Sequence, residues 1–521
     1  MSLRLMVAVV AALFAAPVVF VGWRTLTLDA DLGDVLAESA APAWRTVQLA
    51  VLVGIAAGVL GTGLAWLLVR TDVPLAGWWR VVAPLPLVFP SFIGAAAFIA
   101  GLGPDGLLRN VLEVVGYHPP ARFRGLGASV LVLTMFTYPY VYLPVAARLA
   151  GLPPQLEETC RLLGDRPWRS FVRVVLPMIR GSIAGGTLIV FLYCLSEFGA
   201  VQLLSFDTLT RVVYATRLAD RAVSFMAALV LVVLALLAIT LERRLRGPLG
   251  HRAGVAVRRN RPNRLGWWRP PALAALAAVI GLALVVPVAS LTQWAWRAVA
   301  NSDDRSAALR HEVGRLGGPA WTTAWLSVTA SVVALAAVVP VAILVTRYRS
   351  RFSAVVTTSI SAGFAVPGLV IALSLTFWSL NVPGFDRLYQ TVPLLLMAYV
   401  VHFGSLALRS AETAVAAVPR SLDESAVLLG ASPWRRWRTV HLPLMLPGLL
   451  AGGGLVMLST LKELPATLLL APIGYRTLTT RVWGSFEDGF LAEAGFGSIA
   501  LVVASGLLTW LLVLRNRRVR T

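Results

Sequence analysis

Apolar stretches of about twenty residues recur along this chain, separated by short connections that carry arginine, and no water-soluble core accommodates that pattern. Twelve windows qualify: 5–23, 46–69, 81–101, 128–149, 182–204, 223–241, 271–293, 320–346, 354–378, 391–411, 447–470 and 491–514. In hydrocarbon every backbone amide and carbonyl needs an internal partner, so windows of this length imply helices. The expected fold is an all-α polytopic membrane protein of about 12 transmembrane helices. Residues 5–23, with Arg4 ahead and Ala15 and Ala16 near the end, have the look of a leader peptide. Their length, and the orientation the later spans require, favour an uncleaved first span.

The net charge of +21 raises the question of nucleic acid, but the arginines are spread among short loops and the terminal tail, with no basic domain interleaved with aromatics. Positive-inside topology explains them better. With the N-terminus inside, Arg70, Arg80, residues 242–270, RYRSR at 347–351 and RNRRVR at 515–520 are all cytoplasmic, and the acidic DADLGDVLAE at 29–38 is outside. Both termini are then cytoplasmic. Cys160 falls in a loop and Cys194 in a span, which argues against a disulfide between them.

The chain repeats itself. Trp44, Arg70 and Pro90 match Trp321, Arg347 and Pro367 at a constant offset of 277 residues. Glu158, Gly164, Pro167, Trp168, Leu176, Pro177 and Glu197 match Glu424, Gly430, Pro433, Trp434, Leu442, Pro443 and Glu463 at an offset of 266. Six spans and a cytoplasmic linker return the chain to its starting side, so the two six-helix repeats are parallel. The expected organisation is a first half at 1–241, a linker at 242–270 with nine arginines against one glutamate, and a second half at 271–521. Parallel repeats are expected to pack about an axis along the membrane normal with a pathway between them.

Each half carries one cytoplasmic segment of the same design: EETCRLLGDRPWRSFVRVVLP at 157–177 and DESAVLLGASPWRRWRTVHLP at 423–443. Each offers an amphipathic helix, a glycine that permits a sharp turn, a proline-tryptophan step that starts a second short helix, and a proline at the return to the membrane. One copy is explained by an ordinary re-entry loop; two at constant spacing imply a shared partner surface. The pattern resembles the EAA loop of binding-protein-dependent ABC importer permeases, with Glu158, Gly164 and Leu176-Pro177 filling it in the first half and Glu424, Gly430 and Leu442-Pro443 in the second. Thr159-Cys160 and Ser425-Ala426 only approximate its two alanines. The resemblance implies a type I ABC importer-like membrane domain, with Pro167 and Pro433 among the coupling residues.

Lys462 is the only lysine, and leucine and glutamate flank it, so no Gly-Lys-Ser/Thr phosphate loop is present and catalysis within the chain is not expected. The five histidines, including His118, His251 and His402, are scattered, and no metal site is assigned. An ionisable residue at membrane depth is a functional candidate by default. Glu463 lies about seventeen residues into its span, about 25 Å at 1.5 Å per residue, and Glu197 lies at a similar depth. Glu197, Glu463 and Lys462 are therefore candidate pathway residues, against the alternative that they pin helices or snorkel to the interface. On a continuous helix Lys462 and Glu463 would point about 100° apart.

KELPATLLLAPIGYRTLTTRVW at 462–483 and SEFGAVQLLSFDTLTR at 196–211 resemble segments of bacterial ferric-iron ABC permeases, often single chains of two fused halves. That resemblance implies an importer in the bacterial inner membrane that receives iron from an extracytoplasmic binding protein. Two copies of a partner ATPase, using ATP and Mg, would drive it; this chain would bind no cofactor, and the lipid bilayer is its remaining partner; nucleic acid is not expected. Loops 205–222 and 471–490 are candidate contacts for the binding protein. Alternatives are thiamine or another small solute, and a membrane scaffold or sensor that recruits an ATPase without transport.

Overall fold

The computed structural model describes the whole chain except residues 1–2, 29, 105, 115, 121, 154–159, 161–163, 165–166, 246–262, 301–302, 349 and 519–521. Among the described residues there is no strand, only an isolated bridge between Thr71 and Asn263. Among the described residues ten helices are long and apolar enough to cross a membrane, or eleven if Ala76–Val88 with Ser91–Leu102, bent by 99°, is counted as one span. Gly368–Asn381 is a shorter apolar helix, so ten or eleven spans stand against the twelve expected.

Proline accounts for one interrupted span in each repeat. Windows 81–101 and 354–378, expected as continuous helices, break at Pro90 and Pro367. These mates have extended backbones, with φ/ψ of −62°/139° and −54°/138°. A proline has no N–H to give and biases the residue before it away from helix. Windows 182–204 and 447–470 break as well. Helix Leu176–Ser196 stops at Glu197 and a short helix Gly199–Leu203 follows; helix Leu442–Leu461 stops at Lys462 and Pro465–Leu470 follows. Each repeat therefore contains two broken helices at matching positions.

The chain forms two compact units that interleave with the sequence halves. One comprises residues 40–211 and 233–293, the other residues 1–39, 212–232 and 294–521. In the latter, the N-terminal helix Leu3–Leu26 packs against second-half helices through a small-residue notch. Phe14 is 1% exposed, and its ring occupies the place where a Cβ on Gly404 would stand. Thr25 Oγ1 donates to the Phe225 carbonyl at 3.3 Å, and the Phe225 ring stacks edge-on against Phe377 with centroids 5.2 Å apart. In the former unit, Gly101 makes the corresponding close approach: a Cβ there would lie 2.8 Å from Ser290 Oγ and 3.5 Å from Val286 Cγ1. Small residues that let helices approach closely are the usual means of packing in lipid. The opening helix of each sequence half thus belongs to the compact unit that holds most of the other half.

Candidate functional site

Two kinds of place carry the recurring residues: the elbows and the helix breaks. In the second elbow, helix Arg420–Leu428 ends in a glycine-capped turn. Gly430 has φ +72°, its N–H bonds the Val427 carbonyl at 2.9 Å, and the Ala431 N–H bonds the Ala426 carbonyl at 3.0 Å. This paired bonding with a left-handed glycine is a Schellman motif. No heavy atom lies within 4 Å of where a Cβ would stand, so backbone conformation and not space requires the glycine. Its mate Gly164 has φ +84°. Ser432 then caps the short helix Pro433–Arg436 by accepting the Arg435 N–H at 3.3 Å, with Pro433 at the first turn. A wide π turn, Trp437–His441, leads through Leu442 and Pro443 into helix Leu442–Leu461. In the first elbow Pro167–Ser170, Phe171–Val175 and Leu176–Ser196, with Pro177 in its first turn, follow the same sequence of forms.

Glu424 is exposed on the second elbow, and so is an apolar edge: Val427, Leu428, Leu429 and Trp434 are 52%, 88%, 85% and 71% exposed. Glu158 lies outside the described residues. Asp423 ties the second elbow together, accepting from Arg436 Nη1 and bonding His441 Nε2, each at 3.0 Å. Partial burial on its own would raise the Asp423 carboxyl. His441 and Arg436 outweigh it and hold the group below the ordinary carboxylate range.

At the first-half break, the Glu197 carboxylate is 6% exposed. Ser91 Oγ donates to Oε2 at 2.7 Å and the Ala200 N–H to Oε1 at 2.8 Å; the Tyr193 hydroxyl and the Gly199 N–H are further donors. Its backbone carbonyl accepts from Thr210 Oγ1 at 2.6 Å. At the second-half break, Glu463 Oε1 accepts from the Ala466 N–H at 3.1 Å, and its carbonyl accepts from Thr479 Oγ1 at 3.1 Å and Thr467 Oγ1 at 2.9 Å. Lys462 is the C-cap of helix Leu442–Leu461. The expectation that Lys462 and Glu463 sit on a continuous helix is corrected here: both lie in the turn, because Pro465 restarts the chain as a new helix.

The threonines around these breaks form a repeated lattice that the sequence reading passed over. Thr208–Leu209–Thr210 and Thr477–Leu478–Thr479 make matching hydrogen bonds. The paired hydroxyls lie 2.9 Å and 2.8 Å apart, and the leucine N–H donates to Thr46 Oγ1 at 2.9 Å in one unit and to Thr323 Oγ1 at 2.8 Å in the other. Thr46 and Thr323 obey the same 277-residue offset as the tryptophans and prolines, so the signal was present. His402 gave no such signal. Its imidazole Nε2 lies 3.4 Å and Glu463 Oε1 2.7 Å from where a Cβ on Gly368 would stand. Among the described residues no three His, Cys, Asp or Glu side chains converge on one point.

A twice-repeated membrane core with matching elbows and breaks agrees with the comparison to known families. Residues 50–246 and 338–521 match the family described as the binding-protein-dependent transport system inner membrane component. The chain belongs to this family. The Fe(3+)-transport system permease protein FbpB 2 of Haemophilus influenzae is 29% identical over 474 residues, 90% of this chain and 88% of that protein. The molybdenum transport system permease protein ModB of Azotobacter vinelandii is 29% identical over 160 residues, 30% of this chain and 70% of that protein. The putative 2-aminoethylphosphonate transport system permease protein PhnV of Salmonella typhimurium is 27% identical over 265 residues, 48% of this chain and 96% of that protein. This permease is thus similar to one relative along nearly all of its length and to shorter relatives over 30% and 48% of it.

Proposed function

We propose that this permease is the membrane-spanning subunit of an ATP-driven importer of ferric iron, fed by an extracytoplasmic binding protein and driven by two copies of a partner ATPase, one on each elbow. The observation that carries the reading is the similarity to an Fe(3+)-transport permease over 90% of the chain, where the molybdenum and phosphonate relatives cover 30% and 48%. The half-buried carboxylate of Glu463 at a second-half helix break supports it, because oxygen ligands suit a hard cation. The exposed apolar edge of the second elbow supports docking of the ATPase, with Glu158, Gly164, Pro167, Leu176 and Pro177 and their mates Glu424, Gly430, Pro433, Leu442 and Pro443 as coupling residues. Closure of the ATPases would move the elbows as rigid bodies and switch the two halves between outward- and inward-open states. Loops 205–222 and 471–490 would meet the binding protein, and both termini would lie in the cytoplasm.

A second reading, an oxyanion or phosphonate importer, is favoured by the half-length relatives and by the single membrane-depth lysine, Lys462. Uptake of radiolabelled ferric iron, molybdate and thiamine, in cells with the chain deleted and restored, separates the readings. Iron uptake that falls on deletion and returns on restoration supports the proposal. Molybdate or thiamine uptake that follows the chain while iron does not overturns the substrate and leaves the importer. No response to any of the three solutes leaves a transporter of another cargo, a phosphonate among them, or a scaffold that recruits an ATPase.

A further inference from the structure

The two repeat-mate glutamates stand in unlike surroundings. Glu197 is buried and takes side-chain donors from Ser91 and Tyr193. At the repeat offsets of 277 and 266 those positions become Gly368 and Ser459. Glu463 is only half-buried, and so is His402, which faces it across Gly368. A Cβ on Gly368 would lie 2.7 Å from Glu463 Oε1 and 3.4 Å from His402 Nε2, so the glycine lets carboxylate and imidazole face one small space. In the first half Ser91 stands at that position with its hydroxyl on the carboxylate.

His402 lies beside the helix break at Pro367. Pro367 has no N–H, so the Gly363 carbonyl four residues earlier lacks its helical donor. The imidazole lies beside the backbone of Gly363 and Val366. Carboxylate and imidazole together suit hard to borderline cations. Two protein side chains, with no third His, Cys, Asp or Glu converging among the described residues, make a weak site. Weak binding is what a transport station requires, since an ion must leave as readily as it arrives.

We infer that Glu463 and His402, opened by Gly368, form a transient binding station for a metal cation, whereas Glu197 is a structural cap. The inference rests on the importer reading only for the identity of the cargo. Its test is a titration of the purified full-length chain, in detergent and metal-free buffer, with Mn2+ followed by electron paramagnetic resonance of the free ion. The wild type should show a saturable site; E463Q, H402Q and G368S should each bind at least tenfold more weakly. S91A, and E197Q if it stays monodisperse, should bind as the wild type does. No saturable site in the wild type overturns the station, as does wild-type affinity in both E463Q and H402Q. An equal loss in monodisperse E197Q or in S91A overturns the asymmetry. Iron uptake is scored separately in cells: a Mn2+ site lost in E463Q and H402Q, together with iron uptake indifferent to deletion of the chain, sinks the cargo reading and leaves the station standing.

Discussion

The Ser91 hydroxyl donates to the Glu197 carboxylate across 2.7 Å and joins the helix broken at Pro90 to the helix broken at Ser196. Each break strands backbone groups at membrane depth, where water does not reach them. The carboxylate takes the Ala200 N–H and the Glu197 carbonyl takes the Thr210 hydroxyl, so one residue satisfies donors from three segments. Glu197→Ala should therefore cost about 1–3 kcal/mol or more, the range for leaving buried polar groups unmatched. Ser91→Ala should cost about 1 kcal/mol, because the other donors remain. Thermal unfolding of the detergent-purified variants measures both. A Glu197→Ala protein as stable as the wild type would remove the capping role.

The threonine lattice gives a second prediction. Thr46 and Thr323 each receive a leucine N–H that opens the helix after a break. Thr→Val at either position keeps the volume but removes the acceptor, and each should cost about 1–3 kcal/mol. The positions fall in separate compact units, so the double variant should show additive loss. Thermal shifts of the two singles and the double test this; strong non-additivity would mean that the two lattices are coupled.

In the second elbow, Gly430→Ala places a Cβ on a left-handed residue, at a cost of about 1–2 kcal/mol. The open space around it means that strain, not collision, is the whole effect. Gly430→Asn should be milder, because asparagine tolerates that conformation. On the proposed coupling role, Ala should lower transport-linked ATPase activity of the reconstituted complex more than Asn does. Equal activity in both would separate the turn from coupling.

Phe14 fills the notch at Gly404 and fixes where the N-terminal helix lies. Gly404→Leu has no room without displacing that ring, and Phe14→Ala removes it at about 3–5 kcal/mol, the usual range for a core phenylalanine. Phe14→Ala should partly rescue Gly404→Leu, since the cavity made by one accepts the side chain of the other. Size-exclusion profiles and melting temperatures of the two singles and the double read this out. Failure of rescue would place the clash elsewhere.

Much of this architecture was legible in the sequence, and what was not has identifiable causes. Hydropathy found the membrane windows because bilayer thickness sets a length that soluble helices rarely reach. It missed the breaks at Glu197 and Lys462, since apolar residues on both sides continue the signal across them. Pro90 and Pro367 served as repeat markers, though their missing N–H groups also marked the breaks. The exchange of opening helices between compact units leaves hydropathy unchanged, and only contacts such as Phe14 against Gly404 reveal it. Gly164 and Gly430 were legible because a left-handed turn leaves few residue choices. His402 was not: its meaning depends on Gly368 and Glu463, which are distant in the chain and meet it only in the fold.

The Asp423 network sets a pH dependence in the second elbow. Burial would raise this carboxyl, but His441 and Arg436 bring it below its ordinary value of about 3.9. A carboxyl depressed in the folded state contributes stability that is fully present above its unfolded value and is lost as pH falls through the folded one. The elbow should therefore keep its shape across neutral and mildly acidic pH and loosen only below about pH 4. Asp423→Asn removes the charge and should loosen it at every pH. Hydrogen exchange over residues 420–441 checks this in the intact chain. The variant should exchange faster than the wild type at pH 7, and the difference should close as the wild type is acidified toward pH 3. An Asp423→Asn protein with unchanged exchange would show that the Schellman turn at Gly430 holds the elbow without the ion network.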